Sequence, residues 1–167
     1  MKQNIILIGM PGAGKSTIGV LLAKVMGCDF IDSDLVIQSQ YRKLLREIIE
    51  ERGQEEFLNI EEKVNCSLNP QKAVIATGGS AIYSDKAMKH FKQIGTVVYI
   101  KLSCEKLQDR LGNIVRRGVV LKDNQTFTDL YKERCPLYEK YADITIEMEN
   151  NTIEESLDLI AGKVLTK

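Results

Sequence analysis

Residues 9–17 read Gly-Met-Pro-Gly-Ala-Gly-Lys-Ser-Thr, and they directly follow the short apolar run Ile5–Ile8. The stretch matches the phosphate-binding pattern G-x-x-x-x-G-K-[ST], which lies between a buried strand and the start of a helix. In that position the backbone N–H groups of the loop surround a phosphate group, and the helix N-terminus adds a partial positive charge. Because both the pattern and its context are present, we predict nucleoside triphosphate binding rather than a glycine-rich turn without a ligand.

The chemistry of this loop depends on a few of its residues. Lys15 is expected to reach the β- and γ-phosphates, and the Ser16 hydroxyl is a natural ligand for Mg²⁺. Gly12 and Gly14 allow the backbone to approach the phosphates where a Cβ atom would intrude. The loop residues predicted to contact the nucleotide are Gly12, Ala13, Gly14, Lys15, Ser16 and Thr17.

The composition restricts the remaining possibilities. The chain has 167 residues, enough for one domain with its own core, and its 23 basic residues balance 23 acidic ones. A net charge of zero does not favour nucleic acid or an anionic membrane as a partner, and the apolar runs are too short to span a bilayer. The early first strand leaves no room for a secretion signal, and the cysteines form no CxxC pair. We therefore expect a cytoplasmic protein that binds neither nucleic acid nor a membrane. We further expect a monomer that acts on a small molecule.

Strand-like and helix-like segments alternate along the chain. The apolar runs predicted to be strands are Ile5–Ile8, Phe30–Ile31, Ala73–Ala76, Thr96–Leu102 and Ile144–Ile146. The helical patterns cover Ser16–Met26, 35–67, 85–92, 104–111, 126–139 and, after a capping box formed by Thr152 and Glu155, 153–165. This alternation predicts a mostly parallel sheet with helices on both faces, and ligands bind such sheets at the carboxyl ends of the strands.

The second strand ends in Asp32-Ser33-Asp34. Alternate residues of an extended segment point the same way, so both carboxylates could face one site. One of them could hold Mg²⁺, and the other could accept a proton from a substrate hydroxyl or orient that hydroxyl. The alternative is a turn whose aspartate only caps the following helix.

The third strand ends in Thr77-Gly78-Gly79-Ser80. Two glycines after an apolar strand let a ligand approach the backbone and offer N–H donors to an anion, although a plain tight turn has the same sequence features. No acidic residue closes this strand, so the carboxylate on the metal side is expected to come from Asp32.

Basic residues follow the fourth strand. Arg110 precedes a glycine-flanked basic stretch, 112–118, that contains Arg116. Such a loop suits a lid, here about 112–124, which closes over phosphates and brings an arginine to the transferred group. The alternative is a solvated surface loop.

A further arginine, Arg134, lies near the end of a predicted helix that Pro136 is expected to break. Its guanidinium could bind a substrate anion through two hydrogen bonds, or it could pair with Glu133 or Glu139 on the surface.

Taken together, these segments resemble the shikimate kinase family of small-metabolite kinases with a phosphate-binding loop. The matching motifs are GMPGAGKST, DSD, G-x-E-x-F-x-x-x-E at Gly53–Glu61, ATGGSA, the lid and ERCPLY. The resemblance implies a three-layer αβα fold with a five-stranded parallel sheet of order 2-3-1-4-5. It also implies one kinase domain, 1–167, with a substrate-binding helical region at about 33–62, that transfers the γ-phosphate of ATP to the 3-hydroxyl of shikimate in aromatic amino acid biosynthesis.

The resemblance also implies roles for individual residues. Those implied to be catalytic are Lys15, Asp34 and Arg116. Arg110 would stack on adenine and Arg116 would contact the phosphates, so both join the loop residues that bind ATP. Asp32 and Ser16 would hold Mg²⁺. The residues implied to bind the acceptor are Asp34, Gly78, Gly79, Ser80 and Arg134.

The chain departs from the family pattern in its acceptor region. Leu58 occupies the position where the family has an arginine that binds the shikimate carboxylate, and Ser80 replaces a glycine. Losing one charge-assisted contact costs about 1.5–3 kcal/mol, or about tenfold to a hundredfold in affinity. Arg46, Arg52 or Lys63 could restore the charge. The lid also has Arg117-Gly118 in place of a proline, and Arg42 lies near the place of a family glycine.

These departures leave two alternatives open. The first is a kinase of the same fold that phosphorylates a different small hydroxylated metabolite, because Leu58 suits an acceptor without a carboxylate at that point. The second is a nucleotide-binding regulatory or scaffold protein without catalysis. A nucleoside monophosphate kinase fits less well, because Asp32 and Asp34 would repel an anionic phosphate acceptor.

Overall fold

The computed structural model describes residues 4–111, 119 and 122–165. Its strands within these residues are β1 (Asn4–Ile8), β2 (Asp29–Asp32), β3 (Ala73–Ala76), β4 (Gly95–Lys101) and β5 (Ile144–Glu147). They form one parallel sheet of order β2-β3-β1-β4-β5, so the predicted fold and strand order are confirmed. Every residue of β1 and β3 is buried, which explains why these strands are continuous apolar runs in the sequence.

The helices of the described residues are α1 (Lys15–Met26), α2 (Ser33–Tyr41), α3 (Leu45–Ser67), α4 (Asp85–Ile94), α5 (Cys104–Arg110), α6 (Phe127–Tyr141) and α7 (Ile153–Leu165). The predicted capping box starts α7, since the Thr152 N–H donates to Glu155 and the Glu155 N–H donates to the Thr152 hydroxyl. None of these helices is long and apolar enough to cross a bilayer.

Two helical predictions differ from the structure. The single pattern over 35–67 is divided into α2 and α3, because Arg42 ends α2 in the left-handed conformation at φ 51°. This backbone conformation favours glycine, which accounts for the family glycine near this place. Pro136 lies inside α6 and does not end it, so the expected break of this helix was wrong.

The apolar residues pack into two clusters. The larger surrounds the sheet, where α1 packs against α7 and α3 against α4. The smaller belongs to α2 and α3 and consists of Ile37, Leu45, Ile48, Phe57, Ile60 and Val64. Because this second cluster ties the two helices to each other, the region after β2 is a packed unit beside the carboxyl ends of the strands rather than a loose connection.

Candidate active site

A cavity of about 570 Å³ lies where the loops after β1, β2 and β3 meet α3, α5 and α6. The predicted site residues that line it are Gly12, Gly14, Lys15, Ser16, Thr17, Asp34, Gly78, Gly79, Ser80, Arg110 and Arg134. Residues that were distant in the sequence therefore share one cavity. Arg116 and most of the predicted lid lie outside the described residues.

The phosphate-binding loop has the backbone that its glycines permit. Gly12 and Gly14 have φ angles of 81° and 96°, in the region that side chains rarely adopt. Ala13 is placed differently from its neighbours, because its methyl group is buried in the core and its N–H donates to the Met10 carbonyl at 3.1 Å. The loop therefore presents its glycines, and not the Ala13 side chain, to the cavity.

The buried Lys15 side chain is held at the floor of this loop. Its Nζ donates to the Gly9 carbonyl at 2.8 Å and to the Met10 carbonyl at 2.9 Å. Burial lowers the pKa of Lys15 to about 8, against the raising effect of Asp34. An ammonium group held here needs an anionic ligand to replace the solvent it has lost, and a phosphate supplies one.

Ser16 and Asp32 meet at the end of β2. The Ser16 hydroxyl donates to Asp32 Oδ2 at 2.6 Å, while Asp32 Oδ1 accepts from the N–H groups of Asp34 and Leu35. Asp32 thus caps α2 with one carboxylate oxygen and accepts a hydrogen bond from Ser16 with the other. The sequence allowed two hypotheses for the Asp32-Ser33-Asp34 segment, a helix cap and a carboxylate on the metal side. The two hypotheses are compatible, because they use different oxygens of Asp32. Asp32 itself does not line the cavity.

Asp34 lies in the first turn of α2. The expected alternation along an extended segment was therefore wrong, and it is the helix that directs this residue to the cavity. Asp34 Oδ1 is shielded from solvent and accepts no hydrogen bond from the described residues. Burial, reinforced by Asp32, raises the pKa of Asp34 to about 6, while Lys15 acts in the opposite direction. The carboxylate is therefore mostly ionised at neutral pH, and Asp34 lines the cavity in this basic form.

Glu61 is an important neighbour that the sequence analysis did not select. Its Oε1 is also buried without a partner among the described residues, and its Oε2 accepts from the Ser80 hydroxyl at 2.7 Å. Burial, followed by the charge of Asp34, raises the pKa of Glu61 to about 7. The signal was present in the motif at Gly53–Glu61, where Glu61 follows buried Phe57 by one helical turn.

The two glycines after β3 are required by packing. A Cβ on Gly78 would lie 2.3 Å from Glu61 Oε1 and 2.8 Å from Asp34 Oδ1, so both carboxyl groups converge on this glycine. A Cβ on Gly79 would lie 2.9 Å from a terminal nitrogen of Arg134. Two carboxyl groups occupy the space beside Gly78, and Arg134 and the Pro11 ring occupy the space beside Gly79, so a larger residue at either position would require these groups to shift.

Arg134 is buried, with 1% of its surface exposed. Its Nε donates to the Tyr83 hydroxyl at 3.2 Å, and its guanidinium lies 5.2 Å from the centre of the Tyr83 ring. Glu133 instead accepts from Tyr83 and Lys122. The alternative of a surface ion pair for Arg134 therefore does not describe this residue, which lines the cavity.

Arg110 is the last residue of α5 and is exposed. One of its terminal nitrogens lies 3.9 Å from where a Cβ on Gly14 would be. This places the guanidinium beside the phosphate-binding loop.

The buried Glu61 carboxyl makes stability depend on pH. Its raised pKa means that the folded chain retains a proton that the unfolded chain releases, so this contribution to stability is lost as pH rises from about 4.5 to about 7. Glu61→Gln removes the charge but keeps an acceptor for Ser80. We expect the variant's Tm to exceed the wild-type Tm by about 5 °C at pH 8 and to match it near pH 4.5.

The measurement is calorimetric unfolding at both pH values, with Glu55→Gln as the matched control, because Glu55 is an exposed residue of the same helix. An equal Tm difference at the two pH values would contradict a buried, titrating Glu61.

The comparisons with known proteins extend over nearly the whole chain. A profile of the family described as shikimate kinase matches residues 11–164. A shikimate kinase from Thermodesulfovibrio yellowstonii is 37% identical over 161 residues, which cover 95% of this chain and 92% of that protein. A shikimate kinase from Histophilus somni is 37% identical over 168 residues, which cover 98% of this chain and 94% of that protein. The structure of shikimate kinase from Acinetobacter baumannii in complex with shikimate superimposes with a TM-score of 0.90 at 35% identity. The match covers 98% of this chain and 93% of that one.

Proposed function

Since the chain belongs to the shikimate kinase family and is a kinase, we propose that it transfers the γ-phosphate of ATP to the 3-hydroxyl of shikimate. The observation that carries the proposal is the position of Asp34. Asp34 lines the same cavity as the phosphate-binding loop, so an alcohol bound there would face the triphosphate. The relative from Acinetobacter baumannii was solved with shikimate bound, which supports the same acceptor here.

The catalytic contribution of the chain is mainly positioning and charge. Lys15 and the loop N–H groups would hold the phosphates, and Lys15 would compensate the charge that develops on the transferred group. Asp34 would orient the acceptor hydroxyl and take its proton, a role suited to its pKa of about 6. Arg134 would bind the acceptor's carboxylate. From the resemblance, Arg110 would stack on adenine and Arg116 would contact the phosphates.

The residues beside the phosphate-binding loop fit Mg²⁺. Ser16 and Asp32 supply two oxygen atoms 2.6 Å apart. Within 4–111, 119 and 122–165, no group of three His, Cys, Asp or Glu side chains is arranged to hold a metal ion. This suits a cation that takes most of its ligands from phosphates and water. When bound, Mg²⁺ would neutralise charge on the phosphate oxygens.

The proposed enzyme is one kinase domain, 1–167, whose helical region at about 33–62 binds the acceptor and whose segment at about 112–124 serves as a lid. We further propose that it works as a cytoplasmic monomer without nucleic acid or membrane partners. Its balanced charge supports this proposal.

The test is an ADP-release assay with purified protein, ATP, Mg²⁺ and shikimate, in which the product is identified by mass spectrometry. We expect saturable turnover and shikimate 3-phosphate as the product. No saturable activity at millimolar shikimate, together with turnover of another small alcohol, would favour the related kinase with a different acceptor. ATP binding without transfer to any compound of a metabolite panel would favour a regulatory protein.

A further inference from the structure

Arg46 is a basic side chain of the cavity that has no role in the proposed reaction as described above. It lies in the first turn of α3 and lines the cavity together with Leu45 and Phe57. The side chain is exposed, and it makes no hydrogen bond or ion pair with any described residue. A guanidinium without a protein partner at the wall of a cavity is available to bind an anion.

The other basic groups of the cavity have partners or lie elsewhere. Within the described residues, the cavity's basic side chains are Lys15, Arg46, Arg110 and Arg134. Lys15 is bonded to loop carbonyls, and Arg110 lies beside Gly14 of the phosphate-binding loop. Among the described residues, Arg46 is therefore the guanidinium group of the cavity lining that neither bonds to the protein nor lies beside Gly14, whereas Arg134 donates to Tyr83 through its Nε.

Helix stability does not explain an arginine at this position. The N-terminus of a helix carries a partial positive charge, so a cation in the first turn is unfavourable there. The favourable contact at the start of α3 comes from Glu47, whose carboxylate accepts from the Leu44 N–H at 2.7 Å. Arg46 opposes this preference, and a ligand anion would offset the cost.

Leu58, at the family's arginine position, is half-buried and carries no charge. The other two basic residues considered as replacements, Arg52 and Lys63, are absent from the cavity lining. Arg52 lies over the Tyr41 ring at 5.3 Å from its centre, and Lys63 is exposed away from the cavity lining.

We propose that Arg46 binds the carboxylate of the acceptor together with Arg134, and so supplies from the start of α3 the positive charge that Leu58 lacks. This assignment rests on the proposed function, since it concerns how the same acceptor is held. It makes Arg46 a specificity-determining residue, because it would favour acceptors that carry a carboxylate over neutral alcohols of the same shape.

The test uses Arg46→Met, which keeps most of the side-chain length and removes the charge. We expect KM for shikimate to rise by about tenfold to a hundredfold, with KM for ATP and kcat changed less than about threefold. Arg46→Lys should recover part of the loss. Arg52→Met is the matched control on the same helix and should leave both KM values unchanged.

Two further arms separate binding of the carboxylate from a structural effect. With the neutral carboxamide of shikimate, the wild type and Arg46→Met should show similar KM values, because the analogue offers no carboxylate to either. Adding Leu58→Arg to Arg46→Met should lower KM for shikimate again, because it returns a guanidinium to the family's position.

An unchanged KM for shikimate in Arg46→Met, or an equal loss with the carboxamide, would overturn the assignment while leaving the proposed function intact. Absence of shikimate turnover in the wild type would overturn the proposed function and this assignment with it.

Discussion

Lys15→Met is expected to lower kcat by about 10³-fold or more. Methionine has a similar length but cannot donate a hydrogen bond or carry charge. The phosphates would therefore lose the buried ammonium group that the loop holds against the Gly9 and Met10 carbonyls. The measurement is steady-state ADP release at saturating ATP and shikimate.

The control for this experiment is Lys24→Met, which changes an exposed lysine in the last turn of the same helix. It should retain wild-type turnover. Circular dichroism and Tm should show that Lys15→Met remains folded. A folded Lys15→Met enzyme with kcat within about threefold of the wild type would show that the loop does not act on the transferred phosphate.

Asp34→Asn is expected to lower kcat by about 10²- to 10⁴-fold while the Kd for ATP stays within about threefold of the wild-type value. The amide has nearly the same shape as the carboxylate but cannot accept the proton of the acceptor hydroxyl. Asp34 approaches the cavity from α2, whereas the loop proposed to bind the phosphates lies between β1 and α1. The chemical step should therefore suffer far more than nucleotide binding.

The pH dependence provides a second readout for Asp34. The proposed base must be ionised, and burial raises the pKa of Asp34 to about 6, so kcat/KM for shikimate in the wild type should fall as pH decreases through about 6. This acid limb should be absent in Asp34→Asn. The matched control is Asp29→Asn, because Asp29 is an exposed aspartate of the same strand–helix unit. This variant should keep the wild-type kcat and the same fall of kcat/KM at acid pH. Wild-type activity in Asp34→Asn would refute its role as the base.

The strands illustrate how much of the fold could be predicted. The runs at Ile5–Ile8 and Ala73–Ala76 lie within β1 and β3 because both strands are covered on their two faces and contain little but apolar residues. The region 35–67 was harder. Its division after Tyr41 depends on Arg42 in a left-handed conformation, which no propensity of arginine indicates.

In the candidate site, too, some features could be predicted from short sequence motifs, whereas others depend on contacts between distant residues. The placement of Ser16 beside Asp32 followed from chemistry that each short motif carries by itself. The raised pKa of Glu61 could not be predicted in this way, because it depends on burial and on Asp34, which belongs to another helix. The choice of Arg46 over Arg52 and Lys63 likewise depended on which side chain lines the cavity.

The amino-acid sequence by itself therefore determined the phosphate-binding loop, the alternation that leads to a parallel sheet, and the edge of the sheet at which a ligand would bind. These features follow from local backbone geometry and from the period of the apolar residues, which neighbouring positions suffice to specify. Only the tertiary structure decided that Asp34 and Glu61 converge on Gly78, that Arg134 is buried beside Tyr83, and that Arg46 lines the cavity. The physical reason is that burial and electrostatic coupling depend on distances between residues far apart in the chain, and packing sets those distances.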